Sequence, residues 1–174
     1  MIDKRIKFIS INIAILTISD SRNLDNDESG NLLLEMLKKH GHNCVKRNII
    51  KDESETLLEL LNDWTKEKEI DVIITTGGTG LTGRDITTET VNNFFEKKID
   101  GFGELFRWIS FNKIGTSTIQ SRAVAGTKRG KYIFCLPGSP SACKDAWENI
   151  LKFQLDIRHK PCNFVEILPR LSET

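Results

Sequence analysis

Residues 11–18 (INIAILTI) are apolar at neighbouring positions and rich in β-branched side chains. They fit neither the alternation of a strand with one wet face nor the 3.6-residue stripe of a surface helix. Such a run reads as a short strand buried on both faces, as in a parallel sheet covered by helices on each side. Residues 71–76 (DVIITT) repeat the feature, and residues 45–50 read as another strand between them. Amphipathic stretches separate the strands. Residues 31–40 place apolar side chains at 32, 33, 36 and 37 and stop at Gly41, where a C′ glycine would sit. Residues 54–68 set Leu57, Leu58, Leu61 and Trp64 on one face. Further on, 88–97 and 103–111 read as helices, and 123–127 and 132–136 as a hairpin turning at Lys128-Arg129-Gly130. The break at Pro137-Gly138-Ser139-Pro140 precedes a last long helix over 141–158. Strands alternating with helices predict an α/β fold with a mostly parallel sheet and helices on both faces. No linker or repeat interrupts the chain, so one domain is expected over 1–174, its core at about 11–160 and an irregular tail over 161–174.

Composition narrows the function classes. Lys plus Arg is 25 against 24 for Asp plus Glu, and this balance excludes a general nucleic-acid binder resting on basic excess. No apolar run reaches the ~18–20 residues of a membrane span. Residues 1–10 carry Asp3, Lys4, Arg5 and Lys7 with no apolar h-region, so a cytoplasmic protein without a signal peptide is expected. The cysteines at 44, 135, 143 and 162 form no CxxC pair and have no histidine at ligand spacing, which reads as reduced thiols rather than zinc. His40, His42 and His159 give little support to histidine-centred catalysis.

The chemistry concentrates in residues 75–85, TTGGTGLTGRD, where four of the twelve glycines fall within seven residues. Glycines permit positive φ and close backbone approach, so a strand-to-helix loop of this kind can aim several N–H groups at an anion. Gly78-x-Gly80-x-x-Gly83 matches the dinucleotide fingerprint in letters but follows the third strand instead of the first. Gly78 to Gly83 also has Walker A spacing, yet Arg84 and Asp85 stand where Lys and Ser/Thr are required. A carboxylate beside a phosphate loop repels the ligand unless a cation intervenes, and magnesium takes one or two carboxylates plus phosphates. Asp85 is therefore a candidate metal ligand; otherwise it pairs with Arg84 or caps the following helix. Asp52, at the end of the second strand, reaches the same sheet edge and is the second candidate, with Glu53 beside it.

These residues resemble the MoaB/MogA family of molybdopterin-binding proteins over about residues 11–164. The resemblance rests on Asp27-x-Ser29-Gly30, on 75–85, on GFGELFRWIS (101–110) and on GTSTIQSRAVAG (115–126). It also rests on LPGSPSAC (136–143), AWENI (146–150) and RHKPCNF (158–164), the later stretches resembling the B branch. It implies a three-layer α/β/α molybdopterin-binding fold, a trimeric or hexameric homo-oligomer, and molybdopterin bound at the strand ends. It further implies adenylyl transfer from ATP to molybdopterin with magnesium, releasing pyrophosphate. The alternative is a non-catalytic molybdopterin carrier. In the roles so implied, Gly77, Gly78, Thr79 and Gly80 hold phosphate, and Asp85 and Asp52 hold metal and nucleotide. Pro137, Gly138 and Ser139 line the pterin side, with Ser117, Ser121 and Arg122 close by. The family commonly has Thr-Pro-Glu where this chain has Thr87-Thr88-Glu89, which is expected to loosen the turn.

Other features have simpler readings. Glu104 and Arg107 form an i,i+3 pair on a helix. Phe102, Phe106, Trp108 and Phe111 read as a subunit contact, and Trp64 and Trp147 as core. Lys128, Arg129 and Lys131 read as a solvated hairpin tip. The loop over 19–30, with Asp20, Asp25, Asp27 and Glu28, is either a mobile acidic surface loop or a cover for the pterin site.

Overall fold

Alternate residues of β1 (Asn12–Ile18) belong to two different cores, which is why Ile13–Leu16 is an unbroken apolar run; the one polar side chain buried in the strand, Thr17, is satisfied by Asp27. Ile13 and Ile15 pack on one side with Leu33 and Leu37 of α1 (Glu28–Lys39) and Phe102 and Phe106 of α4 (Asp100–Ile114). Ala14, Leu16 and Ile18 pack on the other with Leu57, Leu61 and Trp64 of α2 (Ser54–Lys66) and Val91 of α3 (Thr87–Phe94). The structure, a computed structural model, describes residues 1–173.

The remaining strands are β2 (Asn43–Ile50), β3 (Val72–Thr76), β4 (Lys97–Lys98), β5 (Val124–Lys128) and β6 (Lys131–Leu136). They form one six-stranded sheet in the order β2-β1-β3-β6-β5-β4. β2, β1, β3 and β6 are parallel, and β5 pairs antiparallel with both β6 and β4. Because β2 and β3 lie on opposite sides of β1, right-handed crossovers put α1 and α2 on opposite faces. The result is a mixed α/β fold with a mostly parallel sheet between two helical layers.

The chain after β6 continues as α5 (Pro140–Ala146), a π turn (Trp147–Leu151) and α6 (Lys152–Gln154), so the expected long helix ends four residues early. Lys97, expected to end a helix, instead forms the short edge strand β4 with Lys98. The tail also differs from the expected irregular chain, up to Thr174, which lies outside the described residues. Phe164 and Val165 of α7 (Phe164–Ile167) dock on the sheet, with the Phe164 ring 4.7 Å from Tyr132 and 5.6 Å from Phe134. We expect Phe164→Ala to cost about 2–3 kcal/mol, read from the urea midpoint.

The hairpin tip is solvated as expected at Arg129, which is exposed, but not at Lys131. Arg129 (φ 47°) and Gly130 (φ 73°) make the turn, and Arg129 donates to Asn62 and to the Thr65 hydroxyl. Lys131 is buried, its ammonium donating to the Ile70 carbonyl, while Lys128 pairs with Glu96 and lies over the Phe94 ring. Trp64 and Trp147 are core residues as expected. Glu104 and Arg107 form no ion pair among the described residues. No described helix is long and apolar enough to cross a membrane.

Candidate functional site

β1, β3 and β6 end side by side at Ile18, Thr76 and Leu136, and the segments leaving these ends enclose a cleft of about 830 Å³. This is the size of a small-molecule site, at the edge of a parallel sheet where the strand order reverses. Ser19, Ser21 and Arg22 line it from the segment after β1, Asp52 from the turn after β2, and Gly77 to Gly80 from the loop after β3.

Two glycines in that loop are required by geometry. Gly77 has φ +108°, and a β-carbon there would lie 2.1 Å from the Ile18 carbonyl oxygen. Gly78 has φ +63°, and its β-carbon would lie 2.2 Å from the Thr87 hydroxyl and 2.5 Å from Asp52 Oδ1. The loop is anchored on its inner side. Gly77 N–H donates to the Leu136 carbonyl (3.1 Å), Thr87 N–H to the Gly78 carbonyl (2.9 Å), and the Thr87 hydroxyl to the Gly77 carbonyl (3.1 Å). The N–H groups of Gly78 and Thr79 make no hydrogen bond among the described residues. Both are free donors for an anion on the cleft side of the loop.

Asp85 pairs neither with Arg84 nor with the next helix end. Its Oδ2 accepts from Thr82 N–H (2.9 Å) and the Thr82 hydroxyl (2.6 Å), which close the loop. Those bonds hold its carboxyl below the usual range. Arg84 instead reaches Asp20, with Nη2 2.8 Å from both carboxylate oxygens. Asp52 behaves in the opposite way. Its Oδ1 is buried without a hydrogen-bond partner, and burial, then the charges of Asp20 and Asp85, push its carboxyl up. No group of three or more His, Cys, Asp or Glu side chains is placed to hold a metal among the described residues. The orphaned Asp52 oxygen, flanked by Asp85, fits a cation that completes its shell from phosphate and water, as magnesium does.

The far wall is built by α4, the 3-10 turn Gly115–Gln120 and α5. Phe106, Ser110, Lys113, Ile114 and Ser117 line the cleft at helical spacing, and Ser121 adds a buried hydroxyl oxygen with no partner. Ser139 caps α5, accepting from Ala142 N–H (3.3 Å). The Pro137-Gly138 turn is held from behind by Arg22 Nη2 (3.0 Å) and the Ser29 hydroxyl (2.7 Å), both donating to the Gly138 carbonyl.

Residues 14–157 match the family model described as "Probable molybdopterin binding domain". The chain belongs to the molybdopterin-binding family. It is 44% identical over 158 residues to molybdenum cofactor biosynthesis protein B of Escherichia coli K12, covering 91% of this chain and 93% of that one. A crystal structure of molybdenum cofactor biosynthesis protein B superposes with a TM-score of 0.82 at 40% identity, over 84% of this chain and 92% of that one. The tungsten cofactor synthesizing protein MoaB from Pyrococcus furiosus superposes with a TM-score of 0.73 at 35% identity, over 82% and 91%.

Against this molybdopterin-binding fold, the residues singled out from sequence divide. Asp52, Asp85, Gly77, Gly78, Thr79, Gly80, Ser117, Ser121, Pro137, Gly138 and Ser139 all line the one cleft. Arg122 stands behind it. Its Nη2 donates to the Asp85 carbonyl (3.0 Å), its Nε to the Thr79 carbonyl (3.4 Å), and its Nη1 pairs with Glu89, so it clasps the loop. Thr88 ties the same region, its hydroxyl donating to the Arg122 carbonyl (3.0 Å), a bond that proline could not make. The segment over 19–30 is not simply a mobile acidic loop. Glu28, Ser29 and Gly30 belong to α1, and Asp27 is fully buried as its N-cap. Sequence reading also missed the contributions of Arg22, Lys113 and Asp145 to the cleft. The spacing 106, 110, 113/114, 117 carried the signal for the α4 wall, but ending the helix at 111 cut it short.

Proposed function

We propose that this chain acts in molybdenum cofactor biosynthesis, binding molybdopterin in the cleft and adenylylating its terminal phosphate with Mg-ATP. An oxygen of that phosphate attacks the α-phosphorus of ATP, a new P–O bond forms, the Pα–O–Pβ bond breaks and pyrophosphate leaves. The observation that carries the reading is the pairing, in one cleft, of free loop amides with a buried carboxylate oxygen that lacks a partner. The amides of Gly78 and Thr79 bind phosphate, while Thr87 N–H holds the Gly78 carbonyl and Arg122 holds the Thr79 carbonyl away from it. Asp52 and Asp85 would hold magnesium, which supplies charge neutralisation for the polyphosphate. No histidine is needed, because phosphoryl chemistry of this kind depends on alignment and electrostatics more than on a strong base. Ser117, Ser121, Pro137, Gly138 and Ser139 form the pterin side.

Purified protein given molybdopterin, ATP and magnesium should form adenylylated molybdopterin and pyrophosphate. Tight molybdopterin binding without product would make it a carrier of the same pathway instead.

We further propose that the chain works as a single domain in the cytoplasm and assembles as a trimer or hexamer. Four free thiols suit a reducing compartment. Of the aromatics expected at a subunit contact, Phe102 and Phe106 are core, but Trp108 (68% exposed) and Phe111 (53%) lie open with Ile114 and Ile119. Such a patch on one helix and its following turn marks an interaction surface. Light scattering on the wild type should give three or six chain masses, and Trp108→Glu should lower the number; a monomeric wild type would refute the assembly.

A further inference from the structure

The cleft wall formed by α4 and α5 carries a charge pair that adenylyl transfer does not use. The Lys113 ammonium donates to Asp145 Oδ1, joining the C-terminal turn of α4 to α5. Asp145 is only 8% exposed, yet it lines the cleft. Its Oδ2 makes no hydrogen bond among the described residues and is not among the fully enclosed atoms, so it is reached from the cleft. A carboxylate this buried and only half bonded is costly unless a ligand completes it. Lys113 likewise has protons to spare, since an ammonium carries three donors. Phe106, Ile114 and Ala142 beside the pair offer apolar contact to a flat ring.

The pair presents two acceptor oxygens next to an N–H donor. A 2-amino-4-oxo-pyrimidine edge, as in a pterin, presents amino N–H, ring N–H and carbonyl oxygen, which is the complementary order. Adenine, with an unprotonated ring nitrogen beside its amino group, does not match. Position agrees with chemistry. Asp145 lies four residues, about 6 Å, along α5 from Ser141. The turn just before Ser141 abuts the glycine loop, where a β-carbon on Gly138 would come within 3.3 Å of Gly77 Cα. A phosphate on the loop amides and a ring against Asp145 therefore occupy opposite parts of one cleft. We infer that Asp145, with Lys113 beside it, recognises the amino-oxo-pyrimidine edge of the pterin and sets ring specificity; this rests on the molybdopterin reading above.

The test is calorimetric binding of 6-hydroxymethylpterin phosphate and of its lumazine counterpart, in which the 2-amino group is oxo. Wild-type protein should prefer the pterin by roughly 10- to 100-fold, the worth of hydrogen bonds to a charged group. Asp145→Asn should abolish that preference. Lys113→Gln breaks the same ion pair but keeps the carboxylate, so it should weaken both probes and leave their ratio intact. A preference retained in Asp145→Asn, or lost in Lys113→Gln, would overturn the inference. Molybdopterin bound equally by wild type and Asp145→Asn would overturn the ring assignment alone, whereas a wild type that binds no molybdopterin would overturn the reading beneath it.

Discussion

Replacing Asp52 with asparagine is expected to stop adenylyl transfer and to leave the protein at least as stable as before. In the folded state this carboxylate is disfavoured by burial and by the charges of Asp20 and Asp85, and its Oδ1 accepts nothing from the protein. The sign follows: a carboxyl whose pKa is raised on folding costs stability when ionised, so a neutral isostere removes that cost at pH 7. The same change removes one of two charges offered to magnesium, and loss of at least about 100-fold in turnover is expected from losing a preorganised electrostatic group. Asp85→Asn should lose activity by a similar factor for a different reason. An asparagine oxygen can still accept from Thr82 N–H and hydroxyl, so the loop stays closed while the charge goes. Asp85→Ala should instead open the loop and weaken phosphate binding as well. A thermal melt beside the turnover assay separates these cases: higher or equal melting with no turnover for Asp52→Asn, slightly lower melting with no turnover for Asp85→Asn, whose lowered carboxyl pKa means that its charge favours the fold at pH 7. Normal turnover by either asparagine variant would remove that residue from the mechanism.

The opposite behaviour of these two aspartates was not visible in the sequence, although both positions were. The glycine spacing and the Arg84-Asp85 pair located the loop, because only glycine can occupy φ +108° and +63° with carbonyl and hydroxyl oxygens within 2.2 Å of the missing side chains. The strands were legible for a similar reason. A strand covered on both faces is mostly apolar with no alternation, and the unbroken runs Ile13–Leu16 and Val72–Ile74 carry that signal. What a motif cannot carry is the assignment of partners. Arg84 was free on paper to pair with its neighbour Asp85, but the fold brings Asp20, 64 residues away, within 2.8 Å of it.

Charge-bearing residues near turns were the systematic error, and the cause is physical. Lys131 and Asp27 look like solvent-facing groups in sequence because isolated charges rarely survive burial. Each is buried here only because a distant backbone or side chain completes it: the Ile70 carbonyl for Lys131, and Thr17, Arg47 and Gly30 for Asp27. Arg122 shows the same limit inside the site. Its neighbourhood was right, but its bonds run to the Thr79 and Asp85 carbonyls, placing it behind the loop as a clasp. Lys113 and Asp145 lie 32 residues apart and meet only through α4–α5 packing.

Asp27→Ala is expected to be the most destabilising polar substitution discussed, at about 3–5 kcal/mol, because it removes one partner of a buried ion pair. The carboxylate is fully buried, 2.9 Å from Arg47 Nη2 and 2.7 Å from the Thr17 hydroxyl, and it caps α1 through Gly30 N–H at 3.0 Å. Burial alone would raise its pKa, but Arg47, Gly30 and Thr17 outweigh it and pull the carboxyl below its usual value. A lowered folded pKa means that this stability is complete above about pH 4, the unfolded value, and is lost as pH falls through the lower folded one. Urea midpoints across pH 7 to 3 should therefore drop for the wild type and drop less for Asp27→Asn, which keeps an acceptor for the cap and hydroxyl but no charge. The effect should reach the cleft. Arg22 lies 3.7 Å from Asp27 while donating to the Gly138 carbonyl, so losing the carboxylate frees the guanidinium that seats the Pro137-Gly138 turn. Molybdopterin binding by Asp27→Asn should weaken even where the protein remains folded. A variant with full stability and unchanged binding would show that the buried charge supports neither the helix nor the site.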